Sequence, residues 1–193
     1  MKKNIILAGV GGQGILSIAA CIGLAAIEEG LFLKQAEVHG MSQRGGAVQS
    51  HLRLSSNEIA SDLIPEGKVD IIISVEPMES LRYLPMLKPE GMIITSINPF
   101  INFHNYPDLE DILHEIWKLP HYFTLDADSM AKDCGSIKAA NMVILGAAVP
   151  FLGLKPESIE NAIRTLFKNK GEEMIELNLK AKNAGLKYVT EHK

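Results

Sequence analysis

A chain of 193 residues, 47% of them hydrophobic and 22% charged, is long and apolar enough to bury a substantial core, and it reads as one domain over residues 1–193. A net charge of −4 without a long basic run argues against a nucleic-acid partner, and no apolar run approaches the roughly 20 residues that cross a bilayer. Two cysteines, Cys21 and Cys134, are too few for a disulfide framework, a zinc site or an iron–sulfur cluster, so any electron-transfer metal would belong to another chain.

Met1-Lys2-Lys3-Asn4 leads straight into an apolar run rather than a secretory leader, so the expected location is cytoplasmic. Residues 4–8 read as a buried strand, because a continuous apolar run before glycine suits a strand covered on both faces. Gly9-Val10-Gly11-Gly12-Gln13-Gly14 follows as G-x-G-x-x-G. In that spacing the first glycine allows a tight turn, the second lets a ligand approach the backbone, and the third lets helix and strand pack. A helix then runs from Ile15, with Ile18, Ala19, Ile22, Ala25 and Ala26 on its inner face and Gly30 closing it. Residues 31–38 return as a second strand beside the first, a βαβ unit of Rossmann-like type. Glu37 lies near the end of that strand, where a dinucleotide fold places an acid against a ribose.

The next stretch, His39-Gly40-Met41-Ser42-Gln43-Arg44-Gly45-Gly46, is a polar, glycine-rich loop. It reads two ways. Ser42, Gln43 and the N–H groups around Arg44 could form an anion-binding concavity with the guanidinium as a fixed fork; alternatively the glycines shape a surface loop and Arg44 is solvated or pairs with Glu37. His39 by itself is a local hydrogen-bond partner. Residues 47–54 alternate apolar and polar, Ser55-Ser56-Asn57-Glu58 offers a turn, and residues 59–63 can return as a strand. A hairpin there predicts a mixed sheet.

Parallel alternation resumes with a strand over 69–75. Glu76-Pro77 opens a helix whose inner face is Met78, Leu81 and Leu84; Pro85 and Pro89-Glu90-Gly91 end it before a strand over 92–97. Glu76 is expected to cap, and Asn98 to form a turn. Leu109, Ile112, Leu113 and Ile116 suggest a short helix, 121–125 a last strand, and Asp128 the N-cap of a helix ending at Cys134-Gly135. Residues 139–152 are apolar nearly all round, with Asn141 the one strongly polar member and Gly146 able to admit another backbone; this helix is buried in the domain or covered by another subunit. An amphipathic helix begins at Pro156, and a more polar one follows Gly171. The expected fold is α/β: a three-layer α/β/α Rossmann-like domain with a mixed sheet containing a hairpin and a helical C-terminal end.

No Walker lysine motif, nucleophile elbow or H-E-x-x-H is present, so the chain lacks an obvious catalytic set. Its glycine turn, the run from Glu37 to Gly46, Ile64-Pro65-Glu66-Gly67, Glu76-Pro77 with Leu81-Arg82-Tyr83-Leu84, and Asn141 together resemble the 2-oxoacid:acceptor oxidoreductase gamma-subunit family. The form of the second loop resembles the small, beta subunits of its indolepyruvate:ferredoxin branch. The resemblance implies a non-redox subunit of a complex in which a large alpha subunit binds thiamine diphosphate and [4Fe-4S] clusters, decarboxylates an aryl 2-oxoacid, reduces ferredoxin and forms the acyl-CoA. It also implies that the glycine turn and Arg44 loop face that subunit, with contacts to coenzyme A or substrate carboxylate as a hypothesis. A related pyruvate or 2-oxoglutarate complex and a free-standing NAD- or FAD-binding oxidoreductase remain as alternatives, and self-association is left open.

Overall fold

The computed structural model describes residues 1–40, 45–101 and 103–192. Among them lies a six-stranded sheet: β1 (Lys2–Val10), β2 (Phe32–His39), β3 (Ala47–Ser55), β4 (Val69–Ser74), β5 (Leu87–Ser96) and β6 (Tyr122–Leu125). The helices are α1 (Ile15–Glu28), α2 (Pro77–Arg82), α3 (Leu109–Trp117), α4 (Ala127–Cys134), α5 (Ala140–Leu152), α6 (Pro156–Phe167) and α7 (Glu172–Glu191).

The strand order is β2-β3-β1-β4-β5-β6. The run β1-β4-β5-β6 is parallel, while β3 is antiparallel to both β1 and β2. The mixed sheet and its hairpin are therefore present, but two expectations about their placement are corrected. First, β2 does run in the same direction as β1, yet β3 is inserted between them, so the two are not neighbours. Second, the hairpin is β2–β3, closed by the loop after His39, and residues 59–63 form no strand. Side chains there satisfy the backbone in place of a ladder: Arg53 Nη1 donates to the carbonyls of Ser61 (2.7 Å) and Leu63 (2.9 Å), and Lys34 Nζ donates to that of Ala60 (3.2 Å).

Smaller differences have local causes. Pro89 and Gly91 lie inside β5 rather than before it, because the register shifts between the Val69–Leu87 and Ile71–Met92 pairs and accommodates the proline in an irregularity. Asp126, not Asp128, caps α4, its carboxylate accepting from Ser129 N–H. α1 ends as read: Gly30, at φ 72°, donates to Ile27 O while Leu31 donates to Ala26 O, which satisfies the last carbonyls in a left-handed cap.

Alternate residues of β1 feed two cores. Ile5 and Leu7, with Ile71, Ile73 and Ile94, face α1, α5, α6 and α7; Ile6 and Ala8, with Ile72 and Ile93, face Ile112, Leu113 and Ile116 of α3 and the partly buried Met78 and Leu81 of α2. This is the expected three-layer arrangement. The apolar α5 is covered by the chain's own α7, not left for another subunit. A Cβ on Gly146 would lie 1.9 Å from the Lys182 carbonyl oxygen, and one on Gly185 1.9 Å from that of Val143, so the helices cross backbone on backbone. Lys182 is fully buried along its stem and reaches Glu160 Oε1 of α6 at 2.6 Å, fastening a third helix to the pair.

Gly146→Ala forces that crossing apart, and we expect a loss of about 3 kcal/mol or more in denaturant unfolding. Gly23→Ala, whose new methyl would meet only Leu33 Cδ2 at 3.1 Å, should change stability by less than about 1 kcal/mol, because a side chain can give way where a backbone cannot.

Candidate functional site

The turn after β1 is built by its own backbone. Gln13 N–H donates to Val10 O (3.1 Å), and Gln13 Oε1 accepts from Val10 N–H (2.8 Å), closing the loop from both sides. At Gly9 a Cβ would lie 2.5 Å from Val75 Cγ2 and 2.7 Å from Ile15 Cδ1, so this glycine is kept by packing as well as by its φ of 156°. Gly12, at φ 100°, has open space where a side chain would be. Gly11 differs from the dinucleotide expectation: its N–H donates to Gly46 O (2.8 Å) and its carbonyl accepts from Gly45 N–H (3.3 Å). The second glycine loop therefore occupies a donor that a pyrophosphate would use. Gly14, the third glycine of the pattern, packs against α5 rather than the strand, since a Cβ there would lie 2.4 Å from Asn141 Nδ2. Asn141 is buried and donates to Gly14 O at 3.1 Å, tying the start of α5 to the start of α1.

Glu37 sits on the outer strand, with β3 between it and the turn; Gln35 Nε2 donates to its carboxylate at 3.2 Å. It does not converge with the glycine turn as a ribose acceptor beside β1 would. Ser42, Gln43, Arg44 and the His39 side chain lie outside the described residues, whereas Gly45 and Gly46 form the clasp on Gly11.

A cleft of about 500 Å³ opens beside the turn, at the carboxyl ends of β1, β4 and β5. Ser17, Lys138, Asn141, Lys170 and Asn178 are among its polar lining, together with one carboxyl, Asp128, and Val75, Ile144 and Phe167 belong to its apolar part. α1 enters here without a side-chain cap, so the positive end of its dipole adds to the two lysines. Ser17, Lys138, Lys170 and Asn178 escape a motif search because they come from four separate segments; only their position at the carboxyl edge of the sheet could have suggested them. A larger groove, about 850 Å³, lies away from the turn along α6 and α7; there Arg164 pairs with Glu172 (3.3 Å) and Glu176 (3.4 Å) in an exposed ion network. The smaller cleft has the convergent donors and is the better site.

Carboxyls next to the cleft are tuned apart. Hydrogen bonds from Ser129 N–H and then the Asn98 amide hold Asp126 below the usual carboxyl range, while burial and then the Asp126 charge raise Asp128, which lines the cleft. Glu76 caps α2 as expected, accepting from Glu79 N–H at 2.8 Å, but it is buried and does not line the cleft. Its carboxylate also accepts from Phe100 N–H (3.4 Å) and from the Tyr106 hydroxyl, pinning the segment after β5. Burial pushes its pKa above the ordinary 4.5, and the hydrogen bond from Tyr106 offsets part of that rise.

A parallel-cored α/β sheet with a polar, cationic cleft at its carboxyl edge defines a ligand-binding or subunit domain of Rossmann-like class. More specifically, the family model for pyruvate ferredoxin/flavodoxin oxidoreductase matches residues 4–188, and the chain belongs to that family. It is 37% identical to the indolepyruvate oxidoreductase subunit IorB of Archaeoglobus fulgidus, over 96% of this chain and 94% of that one. It is 30% identical to the 2-oxoglutarate synthase subunit KorC of Methanothermobacter marburgensis, over 99% and 98% of the two chains. The fold is that of part of the 2-oxoglutarate:ferredoxin oxidoreductase of Magnetococcus marinus, solved with 2-oxoglutarate, coenzyme A and succinyl-CoA bound, at a TM-score of 0.78 and 23% identity; the match covers 98% of this chain and 31% of that one.

A carboxyl with a higher pKa in the folded than in the unfolded chain binds more protons when native, so its contribution to stability is full below 4.5 and is lost as pH rises through the raised value. Glu76→Gln removes this titration. The stability of the variant relative to wild type should rise with pH over that interval; parallel urea titrations at a series of pH values check it, and a pH-independent difference contradicts it.

Proposed function

We infer that this chain is the small subunit of an indolepyruvate:ferredoxin oxidoreductase, a complex that oxidatively decarboxylates aryl 2-oxoacids to the acyl-CoA. The observation that carries the reading is the near-full-length identity to an IorB subunit, higher than to the 2-oxoglutarate relative. Residues 1–193 act as one gamma-type domain in the cytoplasm, and no described helix is long and apolar enough to cross a membrane. Thiamine diphosphate and [4Fe-4S] clusters are assigned to the large alpha subunit, and ferredoxin meets the complex through it. This chain has no Gly-Asp-Gly thiamine motif and only two cysteines, of which Cys21 is buried with its thiol pushed up to about 12.

The cleft beside the glycine turn supplies the geometry. Two lysines, with lining amides and hydroxyls and an uncapped helix start, outweigh the one lining carboxyl, Asp128, and suit a polyanion, and coenzyme A is the polyanionic reactant of the reaction. Within this reading Lys138 and Lys170 hold phosphate, and Arg44 is assigned to contact with the substrate carboxylate or the large subunit. A free-standing NAD or FAD site is disfavoured by the occupied Gly11 N–H and the displaced Glu37. A 2-oxoglutarate complex is the second reading, supported by the KorC relative.

Anaerobic purification through a tag on this chain should bring down a cluster-bearing large subunit that reduces an acceptor in a coenzyme A-dependent way, fastest with indolepyruvate. Preference for 2-oxoglutarate or pyruvate keeps the complex and moves the substrate; a chain that elutes alone and binds NAD or FAD overturns both. In the assembled complex, Lys170→Ala should raise KM for coenzyme A about tenfold, the equivalent of one charge-assisted hydrogen bond. Arg44→Ala should lower oxoacid turnover while the subunits stay associated; unchanged kinetics remove that role.

A further inference from the structure

The two edges of the sheet are finished differently. β6 is four residues long, and side chains cover it: Trp117 Nε1 donates to Thr124 Oγ1 (3.3 Å) and the Tyr188 hydroxyl to Thr124 O (3.1 Å). β2 runs eight residues in unbroken register with β3, without proline or bulge. Exposed edges of this length are ordinarily guarded, most often by lysine. The one lysine of β2, Lys34, is drawn onto its own chain by Ala60 O. Phe32 and Val38, 49% and 58% exposed, stand on the same face near the two ends of the strand.

We propose that β2 pairs antiparallel with β2 of a second copy about a two-fold axis at Gln35, joining two six-stranded sheets into one. A two-fold normal to the sheet keeps every side chain on its own face, so opposed residues must share parity. Charge then selects the register. An axis at Lys34 sets lysine against lysine, and one at Glu37 sets glutamate against glutamate. An axis at Ala36 leaves Phe32 opposite Gly40. The axis at Gln35 places Phe32 of each copy opposite Val38 of the other, an aromatic–β-branched pair at each end, and sets no like charges opposite each other. Because the strands are antiparallel, the carboxyl edges of the two sheets point in opposite directions, so each cleft stays open.

Sedimentation of the full-length chain should give twice its mass, and Val38→Glu should give a monomer with an unchanged circular dichroism spectrum. In a Cys134→Ser background, Gln35→Cys should oxidise to a covalent dimer, because the two positions face each other across the axis. Val38→Cys alone should not cross-link, whereas a mixture of Phe32→Cys and Val38→Cys chains should do so as a heterodimer. A monomeric wild-type chain, which would leave the edge to a different protein, overturns the proposal; so does a dimer in which Gln35→Cys fails to cross-link.

Discussion

The arrangement depends on a backbone clasp, Gly11 N–H to Gly46 O and Gly45 N–H to Gly11 O. It continues the β1–β3 ladder beyond its last pair, Val10 with Ala47, and ties Gly11 of the first glycine turn to Gly45 and Gly46. Gly45 stands at φ 79°, a left-handed conformation that glycine adopts without strain. With β3 held beside β1, the strand that leaves α1 must take the next place outward. The β1–β3 ladder that the clasp extends thus keeps Glu37 away from the site and leaves β2 at the open edge.

Helices complete the site. Asn141 ties α5 to the last residue before α1, and the Gly146–Gly185 crossing brings α7 close enough for Asn178 to line the cleft. The first contact sets a side-chain amide on a backbone carbonyl and the second sets backbone on backbone, and both join segments far apart in the chain. Burial makes the same region sensitive to charge: Glu76 lies under the edge with its hydrogen bonds partly offsetting the cost of desolvation. The same hydrogen bonds hold Phe100 and Tyr106 to Glu76 beside the strand ends.

Membership of an oxidoreductase family is compatible with the proposed role of a binding subunit. In that reading the fixed donors, the helix dipole and the two lysines of the cleft form a binding surface. The chemistry of decarboxylation and electron transfer would then lie on the large subunit, with this domain contributing orientation and charge.

Much of this was legible in the chain. The periodicities placed most of the helices and strands because apolar spacing is a local property, and the second-loop motif and Asn141 marked the family. The hairpin was misplaced because alternation identifies a strand but not its partner: residues 59–63 look like a return strand until Arg53 and Lys34 are seen to take their carbonyls. The glycine motif likewise announced a turn, but whether Gly11 N–H would meet a ligand or Gly46 depends on a segment more than thirty residues away. Sequence alone determined the α/β class, the buried strands, the glycine turn and the apolar α5, since each follows from local sterics and hydrophobic patterning. Tertiary structure alone decided strand order, the fate of Glu37 and the assembly of the cleft from Ser17, Lys138, Lys170 and Asn178, because these depend on long-range hydrogen bonds and packing that no local pattern encodes.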